Sequence, residues 1–258
     1  MSSKTNPGFK RVPALDKCMA ILDLFARSKA PLRIQEISEQ LGLNKSTVFN
    51  MVYTLADLQV LEHRPNGKFA FGTRLYVLGR AAGSKAELIR TAHPYLEEIA
   101  SETQFSAFLG VRLGMKAVIV DKVEAAWGIK VSSEVGMRLP LIAGAGGKAL
   151  LSQLSDSKLH EILSSNGLRR FTPHTCMDRA KFKQAVLKVR EEGIATDIEE
   201  YLEGIIAAAV PIKTHREGLQ AAIWAVGLKR LDLEDELTML CERLKRIASE
   251  LDVRFGSV

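Results

Sequence analysis

Residues 34–55, with the sequence IQEISEQLGLNKSTVFNMVYTL, are the most informative part of the N-terminal third. Apolar residues recur three or four positions apart on both sides of Gly42, a spacing that predicts two amphipathic helices. Gly42 suits the positive φ angle that ends the first helix, and the Asn44 side chain can cap the second by accepting a backbone amide. Two helices joined by so short a turn form a helix-turn-helix, whose second helix enters the major groove in DNA-binding proteins.

The exposed face predicted for the second helix carries side chains that can hydrogen-bond. Asn suits a bidentate contact with adenine, Ser and Thr suit several bases or phosphate, and Lys suits the phosphate backbone. The candidates for DNA contact are Lys45, Ser46, Thr47, Asn50 and Tyr53 or Thr54. The same residues would also serve as the solvated face of an ordinary helix, so the neighbouring sequence has to decide between these two interpretations.

A hairpin is predicted directly after this helix. Residues 60–64 and 68–71 alternate apolar and polar side chains, and Pro65-Asn66-Gly67 between them is a strong tight-turn signal. A hairpin in this position is the wing of a winged helix-turn-helix. Arg64 and Lys68 flank its tip, where they can reach phosphates or a minor groove.

The charge of the chain supports a polyanionic partner for this region. Residues 1–82 hold 12 Lys and Arg against six Asp and Glu, whereas residues 83–258 hold 24 of each, so the formal charge of +6 lies entirely in the N-terminal third. Localised basic charge of this kind is typical of nucleic-acid binding.

Other features of the sequence predict a cytoplasmic protein without metal or cofactor. No apolar segment approaches the roughly 20 residues of a membrane span, and the first dozen residues lack the apolar core of an export signal. The histidines show no metal-ligand spacing with each other or with cysteine. The three cysteines lie far apart, which indicates a reducing compartment; they are Cys18, Cys176 and Cys241.

Over nearly its whole length the chain resembles the IclR family of bacterial transcription regulators. The order and spacing of several short motifs carry the resemblance, rather than any single one. These motifs are Pro31-Leu32 and residues 41–48, 69–75, 93–100, 136–140, 147–150 and 197–200. The resemblance implies a DNA-binding regulator that responds to a small ligand, and it implies no cofactor.

Three positions depart from the family pattern. The family usually has His-Arg where this chain has Phe49-Asn50, so the operator sequence cannot be transferred, and these two residues are expected to carry the specificity of this protein. Arg33 stands where the family has a Thr cap at the start of the first helix of the motif, which suggests a phosphate contact there.

The resemblance and the pattern of elements predict an α+β protein of three parts. These are a winged helix-turn-helix DNA-binding domain at 1–75, a helical linker and dimerisation region at 76–100, and a GAF-like effector-binding domain at 101–258. In the last part strands are expected at 105–113, 117–123, 128–134, 205–212 and 219–227, with helices at 147–154, 156–165 and 178–192 and a final helix.

The resemblance also implies an effector site above the sheet of the C-terminal domain. A loop of Gly144, Ala145 and Gly146 would hold a carboxylate with its backbone amides, and Asp197 matches the acid of the family motif. The positions on the last strands are Ala207, Trp224 and Val226, and an apolar wall would comprise Ile129, Val131 and Leu139. Large apolar residues on the last strands favour a bulkier organic acid, an aromatic acid being one candidate, although Trp224 could equally pack in the core.

Enzymatic activity is not expected. The segment Gly144–Ala149 lacks the glycine spacing and the Ser or Thr of a phosphate loop, and His174-Thr175-Cys176 suits a loop better than a ligand set. Glu199 and Glu200, taken as neighbours on a strand, would point to opposite faces. The main rival is a small-molecule sensor without specific DNA binding. A regulator would act as a homodimer or homotetramer, since two winged domains are needed to read a site of ordinary length.

Overall fold

The computed structural model describes residues 10–28, 30–81, 84–125, 131, 133–214, 218–229 and 233–256. The chain divides into two compact units, with the boundary between residues 87 and 88. Each unit has its own hydrophobic core.

The elements of the N-terminal unit follow the order of a winged helix-turn-helix. They are α1 (Pro13–Arg27), β1 (Leu32–Arg33), α2 (Ile34–Leu41), α3 (Lys45–Asp57), β2 (Leu61–Arg64), β3 (Lys68–Phe71) and α4 (Thr73–Ala81).

The helix-turn-helix forms because the apolar stripes of α1, α2 and α3 meet in one core. Ile21, Ile37, Val48 and Val52 are fully buried there. Gly42 ends α2 with a φ angle of 62°, as predicted.

The predicted cap at Asn44 is wrong. Asn44 begins α3 through its carbonyl oxygen, which accepts the amide of Val48 at 3.0 Å, but its side chain makes no hydrogen bond to the helix. Asn44 is exposed, so water can satisfy the free amides at this helix start instead.

The wing is a three-stranded antiparallel sheet in the order β1-β3-β2. His63 lies opposite Phe69 in the predicted hairpin, and Asn66 takes a left-handed φ of 63° at its tip. The third strand, β1, was not predicted, because two residues are too few to show an alternating pattern; Leu32 pairs with Phe69 there.

The C-terminal unit is an α+β domain, which confirms the predicted fold class. Its elements are α5 (Ser84–Glu102), whose residues from 88 onward belong to this unit, β4 (Ser106–Leu113), β5 (Lys116–Val123), β6 (Arg138–Pro140), α6 (Gly144–Leu151), α7 (Asp156–Ser165), α8 (Arg179–Glu192), β7 (Ala195–Ile198), β8 (Ile205–Ile212), β9 (Ala221–Leu228) and α9 (Leu233–Gly256).

One antiparallel sheet, in the order β6-β5-β4-β9-β8-β7, separates two layers of helices. Side chains alternate between the two faces of each strand. Leu109 and Ile223 belong to the core with α5 and α9, whereas Phe108 and Trp224 belong to the core with α6, α7 and α8. The ring of Trp224 therefore lies between the sheet and α6.

Three predictions for this domain need correction. Of the strand predicted at 128–134, the described residues 131, 133 and 134 are not in a strand, and residues 128–130 and 132 lie outside the described ranges. The edge strand is instead β6, three residues long. Strand β7 was missed, and α6 begins at Gly144 rather than at 147.

Within the described ranges, no helix combines the length and the apolar composition needed to cross a membrane. No group of three or more His, Cys, Asp or Glu side chains among these residues is placed to hold a metal ion.

Gly110 tests how tightly the Trp224 ring packs on the sheet. A Cβ atom at Gly110 would lie 2.1 Å from the Trp224 ring, so Gly110→Ala is expected to destabilise the protein by about 1–3 kcal/mol. At Gly167 no atom lies within 4 Å of the added Cβ, so Gly167→Ala is the matched control and is expected to change stability by less than about 0.5 kcal/mol. Urea unfolding of both variants measures the difference, and equal midpoints would contradict the close packing.

Candidate functional site

The residues predicted to contact DNA lie together on the exposed side of α3. Lys45, Ser46, Phe49, Asn50 and Tyr53 are exposed, and they occupy one helical face opposite the buried stripe. Thr47 is half-buried at the edge of this face. The surface is polar and basic at its N-terminal end, as the sequence predicted.

Arg33 connects the start of α2 to the tip of the wing. Its Nε donates a hydrogen bond to the carbonyl oxygen of Asn66 at 3.3 Å. The carboxylate of Glu36 accepts the backbone N–H of Arg33 at 2.7 Å, which is the bond that the third helical residue contributes to a capping box. Arg33 as a whole is exposed, and its contact with phosphate stays a prediction.

The basic residues of this surface differ in whether they are neutralised within the protein. Arg64, in the wing, forms an ion pair with Glu62. Within the described part of the chain, no carboxylate lies at ion-pair distance from Lys45 or Lys68. Among the described residues, therefore, these two lysines have no counterion with which a partner's phosphates would compete.

The C-terminal unit contains a cavity between the sheet and the start of α6. Its empty space is about 670 Å³, part of it open to solvent. Every residue predicted for the effector site lines this cavity, apart from Ile129, which lies outside the described residues. The lining residues predicted from sequence are Val131, Leu139, Gly144, Ala145, Gly146, Asp197, Ala207, Trp224 and Val226.

Several other lining residues were missed from the sequence. Phe108, Ala117 and Ile205 come from strands, and alternation along β4, β5 and β8 could have pointed to them. Tyr201 and Leu202 come from the turn after β7, whose position depends on distant parts of the chain.

An aromatic floor closes the cavity on the sheet side. The Trp224 ring stacks with Phe108 at a centroid distance of 6.2 Å and an interplanar angle of 23°. It is only 4% exposed, and it packs over Gly110 and beneath Gly146. Trp224 thus belongs to the core and lines the cavity, so the two interpretations considered for it are compatible.

The N-terminus of α6 supplies backbone donors to the cavity. Ala143 precedes the helix and offers no side-chain cap, and the residues of the first turn, from Gly144 to Gly147, line the cavity. The first amides of a helix have no partner within it, and the helix dipole makes this end favourable for an anion. The geometry can therefore hold a carboxylate group.

Asp197 faces the same end of the cavity. Its Oδ1 accepts the backbone N–H of Glu200 at 2.6 Å. Its Oδ2 lies 3.1 Å from where a Cβ of Gly144 would stand. Because the side chain is only 6% exposed, burial raises the pKa of Asp197 from 3.8 to about 6.

Lys148 is a structural residue in this arrangement. Its buried Nζ donates to the carbonyl oxygen of Thr196 at 2.7 Å and to Oε1 of Glu200 at 2.6 Å. These bonds connect α6 to the segment that carries Asp197. Because both bonds use the Nζ group, Lys148 does not point to a bound phosphate as the lysine of a phosphate loop does.

The turn after β7 is fixed by further polar contacts. The hydroxyl of Thr172 donates to the carbonyl oxygen of Glu199 at 2.6 Å, and that of Thr175 to the carbonyl oxygen of Glu200 at 2.7 Å. The assumption that Glu199 and Glu200 lie on a strand is wrong, because β7 ends at residue 198. Each of the two glutamates forms an ion pair with a different lysine. Glu199 pairs with Lys229, and Glu200 pairs with Lys148.

Comparisons with known proteins cover both units. Residues 14–65 match the family model of the IclR helix-turn-helix domain, and residues 80–253 match that of the bacterial transcriptional regulator IclR C-terminal region. The HTH-type transcriptional regulator XynR of Escherichia coli K12 is 30% identical over 246 residues, covering 95% of this chain and 98% of that protein. The transcriptional repressor IclR of the same organism is 25% identical over 258 residues, covering 98% and 94%.

Solved structures share the fold. A transcriptional regulator from Alicyclobacillus acidocaldarius aligns with a TM-score of 0.80 at 24% identity, covering 96% of this chain and all of that one. An IclR homologue from Microbacterium hydrocarbonoxydans, complexed with 4-hydroxybenzoate, aligns with a TM-score of 0.81 at 22% identity, covering 95% and 100%.

The raised pKa of Asp197 predicts a pH dependence of stability. The folded protein holds this proton more tightly than the unfolded chain, so stability should fall as the pH rises from about 4 to about 6 and change no further above that range. Asp197→Asn keeps the acceptor for the Glu200 amide and removes the charge. It should abolish this fall and raise stability at pH 7 by up to about 3 kcal/mol.

Asp178→Asn is the control of opposite sign. Hydrogen bonds from the amides of Lys181 and Ala180 lower the pKa of Asp178, so its charge stabilises the protein above its unfolded pKa, and this contribution is lost in acid. The control variant should be destabilised at neutral pH and much less so in acid. Urea unfolding from about pH 2 to pH 8 gives both profiles, because the contribution of Asp178 is lost only below about pH 4. An Asp197→Asn profile parallel to the wild type would contradict the burial of a charged Asp197.

Proposed function

The chain belongs to the IclR family of bacterial transcriptional regulators, and on this basis we propose that it binds an operator through α3 and the wing under control of a small organic acid in the C-terminal cavity. The main observation in support of DNA binding is the exposed basic and polar face of α3 beside the wing. The proposed function is regulatory rather than catalytic, and its place of action is the cytoplasm, where the operator is.

Lys45, Ser46 and Thr47 stand in the first turn of α3. In a helix that enters the major groove this end meets bases and phosphates, and its free amides add favourable partial charge. Lys68 and the exposed part of Arg64 suit phosphates near the wing. We assign these residues to anchoring, and Phe49 with Asn50 to sequence preference.

Two copies of the chain are needed to read an operator of ordinary length, so the functional form is a homodimer or a homotetramer. Apolar side chains exposed on the single chain suit contact between copies. They are Leu15 and Met19 on α1 and Tyr76, Val77 and Leu78 on α4. An interface that covers them would remove apolar surface from water.

The cavity suits a carboxylate attached to a flat apolar body. The amides at the start of α6 would hold the carboxylate, and the Trp224 and Phe108 rings offer an aromatic platform. The complex of the Microbacterium hydrocarbonoxydans homologue with 4-hydroxybenzoate supports an aromatic acid as one candidate.

Asp197 gives this binding a dependence on pH. A carboxylate at the start of α6 would lie beside the Asp197 carboxyl, and two adjacent buried carboxylates cannot both be ionised at low cost. The effector should therefore bind with uptake of a proton. For the effector to change DNA affinity, it must bind two arrangements of the protein with different strengths.

Lys45→Ala tests the DNA-binding half of the proposal. In gel-shift titrations of full-length protein on the DNA upstream of its own gene, this change should weaken binding about 3- to 10-fold and lower the slope of log affinity against log salt by about 1. Lys188→Ala, on the exposed side of α8, is the matched control and should bind like the wild type. If the wild type shows no specific retardation at low salt, the rival function, a sensor without specific DNA binding, is favoured.

A thermal-shift series with carboxylic acids tests the effector half. Benzoate, 4-hydroxybenzoate and pyruvate are compared with benzamide, which lacks the carboxylate. At about 100-fold excess over its Kd, a binding acid should raise Tm by roughly 5 °C, and by more at pH 5.5 than at pH 7.5 because Asp197 takes up a proton. Benzamide should have no such effect.

Trp224→Ala and the milder Trp224→Phe should reduce the shift given by aromatic acids. Circular dichroism establishes that the variants are folded. If both folded variants show the same Tm shifts as the wild type, Trp224 is not part of the binding site. If benzamide raises Tm as much as the acids do, the site does not recognise a carboxylate.

A further inference from the structure

Phe49 is an exposed aromatic residue on the DNA-facing side of α3. Its ring lies 4.3 Å from that of Tyr53, one helical turn further on. Tyr53 in turn contacts His63 at 5.3 Å and Phe69 at 5.5 Å, edge to face. Phe69 is fully buried in the wing, so a continuous row of rings connects the core of the N-terminal unit to Phe49.

Folding does not account for the position of the Phe49 ring. Phe49 remains 47% exposed, and a helical aromatic pair contributes only about 0.2–0.5 kcal/mol. The contacts with Tyr53 do restrict the ring to one place on the surface. A group held in this way loses little conformational entropy when a ligand covers it.

The surroundings of Phe49 favour a polyanionic partner over an apolar protein surface. Lys45 lies one turn earlier on the same face and has no ion-pair partner among the described residues, and Ser46 and Asn50 flank the ring. Residues of this end of a recognition helix are those that face base edges. The ring is therefore placed where a base pair would lie.

The chemistry of the ring identifies the group it can recognise. Phenylalanine has no hydrogen-bond donor or acceptor, and the C5-methyl of thymine is the apolar group that the base edges of the major groove present. We propose that Phe49 contacts a thymine methyl group in each half of the operator, and this inference rests on the proposed DNA binding. Tyr53 is the positioning residue that holds the Phe49 ring in place.

The experiment begins with full-length wild type and a random duplex library, from which bound DNA is enriched and sequenced. The best duplex is then synthesised with each thymine replaced in turn by deoxyuridine, which removes the methyl group and keeps the base pair. Wild type should lose about 3- to 10-fold in affinity at one or a few thymines per half-site. Phe49→Ala should bind the thymine duplex more weakly by a similar factor and be insensitive to deoxyuridine at those positions.

Two further variants make the result specific. Phe49→Leu, which keeps an apolar contact, should retain part of the sensitivity to the methyl group. Leu58→Ala removes another exposed apolar side chain at the end of α3 and should behave like the wild type.

The possible failures separate the inference from the proposed function. Enrichment of a specific duplex without any effect of deoxyuridine on the wild type would overturn the thymine contact and leave DNA binding intact. Sensitivity that persists unchanged in Phe49→Ala would also overturn it. If no duplex is enriched, the proposed DNA binding fails, and the thymine contact fails with it.

Discussion

The glycine-rich start of α6 allows its backbone to lie directly on the sheet, and the cavity depends on this close approach. A Cβ at Gly147 would lie 2.2 Å from the carbonyl oxygen of Leu141, and one at Gly146 would lie 3.1 Å from the Trp224 ring. Gly144 meets Asp197 at a similar distance and takes a φ of 69°, which favours glycine. With side chains at these positions, the amides, the carboxyl group and the aromatic floor could not surround one space.

Short-range patterns made much of the fold predictable. The helical spacing of apolar residues and Gly42 predicted the helix-turn-helix. The Pro65–Gly67 turn predicted the wing. Strands β1 and β7 were not predicted, because elements of two to four residues show little periodicity. Such short strands depend on pairing with residues far away in the sequence. The Asn44 cap also failed: Asn44 begins α3 through its carbonyl oxygen alone, although the exposed side chains of Ser155 and Asp178 do cap α7 and α8. A residue type able to cap therefore does not decide by itself whether the side chain caps the helix.

The cavity was predictable to the extent that its residues belong to motifs. The glycine loop and Asp197 could be placed by the resemblance to a known family. Tyr201 and Leu202 could not, because Thr172, Thr175 and Lys148 position their turn, and these residues come from 25 or more positions away. Such contacts leave no local signal in the sequence.

The proposed DNA-binding face of α3 and the C-terminal cavity differ in their electrostatics. On α3 the charge is exposed, so contacts with phosphates contribute affinity that depends on salt and carries no sequence information. Sequence preference must then come from residues that meet base edges, and we propose that the exposed Phe49 and Asn50 do so. In the cavity the charge is buried, so each group needs a partner or a proton. Lys148 pairs with Glu200, whereas burial raises the pKa of Asp197 to about 6. Under the proposed function, binding of an organic acid in the cavity would therefore be coupled to protonation of Asp197, while binding of DNA would depend on salt concentration.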